Sequence, residues 1–131
     1  MGTALTEFDD RHLAGVLALC ATEGWPTFPS DPDRAQGALH APGAVTVVAV
    51  CDEDRVVGFA HALTDSITAH LAQLLVDQQH QGQGIGRRLV DEVGRRCGTD
   101  RLDLLTDTAR GFYKRLPHRR YTGFRVYPTR P

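Results

Sequence analysis

The feature that most restricts this chain is a change of period across a cluster of glycines. Three apolar runs, AVTVVAV (44–50), VVGFAHAL (56–63) and HLAQLLV (70–76), are separated by turn-forming stretches, which predicts three successive antiparallel strands. After DQQHQGQGIG the apolar residues Ile85, Leu89, Val93 and Cys97 recur every four positions, the stripe of an amphipathic helix. Asp91 with Arg95 and Glu92 with Arg96 fall at i,i+4 on its wet face. A helix that starts inside glycines exposes its first N–H groups, which have no intrahelical partner, where a ligand can approach the backbone closely. That combination is an anion site, and phosphate is its natural guest.

The rest of the chain supplies elements around this core. Residues 3–8 (TALTEF) predict a first strand. Asp9 or Asp10 caps a helix carrying Leu13, Val16, Leu17 and Cys20, which stops at Gly24 and Pro26. After the proline-rich WPTFPSDPDR, Asp31 or Asp33 starts a second helix towards His40, ended by Pro42 and Gly43. RLDLLT (101–106) predicts another strand, TARGFYKRL (108–116) a helix ended by Pro117, and HRRYTGFRVYP (118–128) one or two last strands around Thr122 and Gly123. The order βααβββαβαβ belongs to the α/β class: a mixed, mostly antiparallel central sheet flanked by about four helices.

With 131 residues this is one domain, 1–131, and 41% apolar with 24% charged residues is the balance of a soluble globular chain. No run reaches the roughly 18 apolar residues of a membrane helix, and MGTALTEFDD lacks a signal core, so the expected location is cytoplasmic. Cys20, Cys51 and Cys97 form no CxxC and have no histidine at ligand spacing. Buried or half-buried thiols are expected, with no disulfide and no metal. The net charge of −1 is unevenly spread, since every charged side chain from Arg110 to Arg130 is basic. Such an end can meet a polyanion, but the acidic remainder argues against nucleic acid.

Three phosphate-cradling patterns compete for QGQGIG. A Walker A loop needs Gly-Lys-Ser/Thr, and the lone lysine is Lys114. A GxGxxG dinucleotide fingerprint would need glycine where Arg87 or Leu89 stands, and a βαβ unit where the pattern is antiparallel. QxxGxG is satisfied by Gln81, Gly84 and Gly86. With LLVDQQHQGQGIGRRLVDEV as a strand, loop and helix start, and DTARGFYKRL downstream, the chain resembles the GNAT superfamily of acyl-CoA-dependent N-acetyltransferases over most of its length.

That resemblance implies acetyl-CoA as acyl donor. The backbone of Gln81, Gly82, Gln83, Gly84, Ile85 and Gly86 would hold the pyrophosphate, with Arg87 and Arg88 beside it. The main chain of Leu74, Leu75 and Val76 would pair with the pantetheine arm, and the Val76 amide would polarise the thioester carbonyl. By the same resemblance Tyr113 would protonate the departing thiolate, and His70, six residues before Val76, stands where histone-type members carry a glutamate base. Strict alternation would put residues 70, 72, 74 and 76 on one face. Glu23, His61 and Asp65 are further base candidates, and His80 is expected at the surface. The family's FYxKLGF is interrupted here by PHRRYT, so the final hairpin is short or completed by a partner subunit in a homodimer.

The acceptor side of the family is built from the first two helices and their loop, here EGWPTFPSDPDR. Trp25 and Phe28 offer apolar and cation–π surface, and Glu23, Asp31 and Asp33 offer negative charge, which suits a small cationic primary amine. A protein lysine or N-terminal amine is the alternative acceptor, an aminoacyl-tRNA another. A non-catalytic acyl-CoA-binding module is the alternative outside enzymes.

Overall fold

The structure, a computed structural model, describes residues 2–129; Arg130, the last of the basic residues, lies outside them. Four strands, β1 (Ala4–Glu7), β2 (Ala44–Cys51), β3 (Arg55–Thr64) and β4 (Ala69–Val76), form an antiparallel sheet in the order β1-β2-β3-β4. The turn after β2 bends at Glu53 and Asp54, both left-handed at φ 59° and 62°. The turn after β3 is fixed by Asp65, whose carboxylate accepts the N–H groups of Ile67 (2.9 Å) and Thr68 (2.7 Å). Asp65 is therefore a turn residue, and these hydrogen bonds hold its carboxyl below the ordinary carboxylate value.

Helices α1 (Leu13–Glu23) and α2 (Pro32–Leu39) cover one face of the sheet, and α3 (Ile85–Cys97) covers the other. Asp9 opens the turn that leads into α1, and His12 completes the cap by accepting the Asp9 N–H on Nδ1 at 3.0 Å. Gly24 closes α1 at φ 82°, and Asp31 caps α2. On the α3 side, Ile85, Leu89, Val93 and Cys97 pack on Val47, Ala49, Val57 and Leu71; on the other, Val16, Cys20 and Leu39 pack on Val48, Phe59 and Leu75. Leu89 and Phe59 are fully buried, each contributing roughly 1.5–3 kcal/mol by leaving water. Glu92 pairs with both Arg95 and Arg96 at 2.6 Å, which pulls its carboxyl down to about 2, while Asp91 faces Arg87. The expected Asp91–Arg95 pair is thus replaced. All three cysteines are free; Cys20 and Cys97 are buried and Cys51 half-buried.

The expected strand at 101–106 is reduced to one parallel bridge between Asp103 and His70. Leu102 and Leu104 do turn inward onto the α3 core, so the alternation is real, but 101–106 meets β4 at a single position and no ladder grows. The last helix is α4 (Arg110–Lys114), shorter than the predicted 108–116. Residues 118–127 form no strand; Tyr121, Phe124, Val126 and Tyr127 stay exposed, and the segment passes beside 101–106, with Gly123 against Leu105. Among the described residues no helix is long and apolar enough to cross a membrane.

Candidate functional site

β4 does not alternate strictly. Ala62 pairs with Leu71 and His61 with Gln73, so Ala72 is an extra residue, a β-bulge. Ala69 and Leu71 belong to the α3 core before the bulge, and Leu74 and Val76 pack there after it. His70 therefore faces the α1 side, opposite Leu74 and Val76. The expectation of one face for 70, 72, 74 and 76 fails because the bulge inverts the parity. Leu75 packs in the α1-side core.

The bulge also sets which amides face outward. Leu71 N–H donates to Asp103 at 2.9 Å, on the side away from β3, and Asp77 N–H, just past the strand, donates inward to Val57 at 2.8 Å. Antiparallel alternation between these points turns the N–H and C=O of Leu74 and Val76 outward. Among the described residues no strand pairs with that edge, and the Val76 carbonyl accepts the side chain of Gln81 at 3.1 Å. The sheet thus ends in a short row of free amides, and Gln81 ties the following loop to that row.

In that loop Gly82 and Gly84 take φ 81° and 80°, conformations that favour glycine, with nothing within 4 Å of where a Cβ would stand. Gly84 is the N-cap of α3 without a side-chain cap, and the first intrahelical bond is Arg88 N–H to Gly84 at 3.1 Å. The amides of Ile85, Gly86 and Arg87 precede it and have no intrahelical acceptor, while the helix dipole adds partial positive charge. These residues fit a pyrophosphate. The two arginines are engaged elsewhere: Arg87 faces Asp91 at 3.6 Å, and Arg88 donates to the Thr3 carbonyl at 3.0 Å, tying α3 to β1. Gly86 serves packing, since a Cβ there would lie 3.1 Å from the ring of Phe112. Sequence reading missed that contact, which joins the loop to α4.

Through that contact α4 is seated near the start of α3. Tyr113 packs half-buried against the α3-side core, edge-on to Phe112 at 4.9 Å between ring centroids. Burial raises its phenol pKa, so the hydroxyl keeps its proton at neutral pH and is a donor.

The remaining candidates divide clearly. His61 is buried; its Nδ1 lies 2.8 Å from Thr46 Oγ1, which itself donates to the Leu39 carbonyl, and burial pushes its pKa down. It is a neutral core group. His80 Nδ1 pairs with Asp77 at 2.8 Å and is less exposed than expected. Glu23 is exposed at the end of α1, and Asp31 caps α2. Trp25 and Phe28 do come together, in a cleft of about 400 Å³ bounded also by Cys20, Ala72, Gln73 and Arg125. The cleft thus reaches the bulge of β4 from the α1 side. Gln73 and Arg125 carried no local signal: the bulge brings in the first, and the path of the irregular C-terminal segment the second.

Comparison with known proteins agrees with this geometry. Residues 42–116, more than half of the chain, match the family model of the acetyltransferase (GNAT) domain. An acetyltransferase of Trypanosoma brucei superposes with a TM-score of 0.73 at 20% identity, covering 96% of this chain and 99% of that one. A Deinococcus radiodurans protein assigned as an acetyltransferase gives 0.74 at 27% identity, over 96% and 88%. AAC(6')-Iy, solved with the bisubstrate analogue CoA-S-monomethyl-acetylneamine, gives 0.79 at 17% identity, with both chains covered in full.

Proposed function

This chain belongs to the GNAT family of acetyltransferases, and from that premise we propose that it transfers an acetyl group from acetyl-CoA to the primary amine of a small molecule by direct attack. The observation that carries this reading is the continuity of the open edge at Leu74 and Val76 with the glycine turn at Gly82 and Gly84 and the uncapped start of α3. A thioester arm lying along the edge and a diphosphate at the helix start need free amides at both places, which Leu74 and Val76 supply at the first and Ile85, Gly86 and Arg87 at the second. The amides of Asp77, His80 and Gln81 between them are spent on Val57 and on the loop itself.

Acetyl-CoA supplies the activated acyl group. The outward N–H of Val76 donates to the thioester carbonyl oxygen as negative charge gathers there. The amine enters from the α1 side through the cleft of Trp25 and Phe28, after giving up its ammonium proton. The exposed imidazole of His70, on the same side of β4, receives that proton through solvent. As the C–N bond forms and the C–S bond breaks, the nitrogen releases its second proton to solvent, and the phenol of Tyr113 gives its proton to the sulfur and regains one from solvent. Arg87 and Arg88 stand beside this turn, while Arg87 also faces Asp91 along α3 and Arg88 ties α3 to Thr3.

The test is release of free thiol from acetyl-CoA in the presence of a panel of small primary amines, with a lysine-containing peptide alongside. Turnover with at least one small amine is expected. Binding of acetyl-CoA without thiol release from any acceptor would replace the enzyme by a non-catalytic acyl-CoA-binding module, and turnover of the peptide alone would move the acceptor to protein.

A further inference from the structure

The acidic residues that favour a cationic acceptor do not line the acceptor cleft. Its lining holds one charged side chain, and that side chain is basic: Arg125. Among the described residues no acidic group pairs with it. A guanidinium facing a cleft without a counter-charge recognises a carboxylate, which it can bind with two parallel hydrogen bonds, and it repels a second cation on the substrate. Gln73, at the bulge, lines the same cleft and carries a buried side-chain carbonyl with no hydrogen-bond partner. A buried acceptor left unpaired costs free energy that an incoming N–H recovers. Gln73 stands one residue before Leu74 and the open edge. Trp25 and Phe28 supply an apolar wall between these polar groups, and a volume of about 400 Å³ suits a molecule of amino-acid size.

We propose that the acceptor is a small amine that also carries a carboxylate, an α-amino acid in its simplest form, with its carboxylate on Arg125, its amine at Gln73 and its side chain against Trp25 and Phe28. This rests on the acetyltransferase reading and narrows its acceptor. The amine nitrogen attacks, the thiol leaves, and the product is an N-acetyl amino acid whose free carboxylate stays on Arg125 until release.

Trp25 is the single tryptophan of the chain and lines the cleft, so its emission reports occupancy independently of turnover. The experiment titrates matched pairs that differ in the carboxylate, L-leucine against isoamylamine and L-phenylalanine against phenethylamine, with spermidine as the cationic reference. It uses the full chain, Arg125→Gln and Arg125→Lys, and follows thiol release from acetyl-CoA in parallel. Expected is saturable perturbation of Trp25 by the amino acids at concentrations at least tenfold below those of the matched amines. Arg125→Gln should abolish that preference and raise the KM for the amino acid with little change in kcat, and Arg125→Lys should restore part of it. Equal binding of acid and amine, a preference that survives Arg125→Gln, or spermidine ahead of both would overturn the proposal. Carboxylate-dependent binding with no thiol release would instead remove the acetyltransferase reading and leave the cleft assignment standing, so the two failures are distinguishable.

Discussion

Gly84 stands at φ 80° with open space around the position of a Cβ, so its requirement is conformational and not spatial. Valine there costs about 1–2 kcal/mol through the backbone alone and bends the turn away from its amide-forward shape. Gly84→Val should abolish the thermal stabilisation given by acetyl-CoA while lowering the melting temperature of the free protein by a few degrees. Gly84→Asn, which tolerates left-handed φ, should keep most of that stabilisation; equal stabilisation of both variants and the parent would remove the turn from the ligand site. In the proposed reaction the part of Tyr113 is chemical. With its phenol pKa raised by burial it remains a proton donor across the neutral range, so Tyr113→Phe should lower kcat about 100-fold and leave the KM for acetyl-CoA nearly unchanged. A changed KM at constant kcat would make it a packing residue. The pattern QxxGxG made Gly84 and Gly86 stand out in the sequence, because a glycine-rich helix start has few other physical uses. The use of Gly86 was hidden, because it depends on a ring 26 positions further along.

Helix α4 has only five residues, and its position depends on what it leans against. Phe112 rests on Gly86, and Tyr113 meets Phe112 edge-on. Gly86→Val should therefore push the phenylalanine ring off α3 and carry the tyrosine with it. The expected loss is about tenfold in kcat, the effect of misplacing a reacting group. Replacing Phe112 by leucine in the same chain should recover part of that loss, and a double variant no better than the single would break the link between α3 and α4. Strands β2, β3 and β4 and helix α3 were readable because each buries a face whose period fixes its type. The first strand was readable too, but the C-terminal end of the chain was not. In 101–106 the inward Leu102 and Leu104 make the right alternation, yet a strand exists only through its neighbour, and pairing is a property of two segments that one segment's pattern does not contain. The bulge at Ala72 escaped for the same reason: nothing in HLAQLLV marks the extra residue.

Across the whole molecule two imidazoles, His12 and His61, lie in the interior, and burial pushes the pKa of each below the ordinary value of 6.5. Below that pH the unfolded chain binds protons that the folded chain refuses, so stability falls as pH drops through the window under 6.5, by at most about 1.4 kcal/mol per pH unit for each group. Melting temperatures measured from pH 7.5 down to 5 should decline accordingly. Since His12 caps through an accepting nitrogen, His12→Gln keeps an acceptor for the Asp9 N–H while removing the titration, and should flatten the decline. An unchanged slope would assign the acid sensitivity to His61 or to the carboxylates.

A sheet that stops one strand early is adhesive, because another chain can add to it as readily as a ligand can. The stretch of β4 at Leu74 and Val76 is such a margin, met at one end by Asp103 and at the other by the side chain of Gln81. Coenzyme lying there would act as a stopper against self-association. Light scattering at rising protein concentration should accordingly show larger particles without acetyl-CoA than with it, and identical curves would mean that the margin is already shielded.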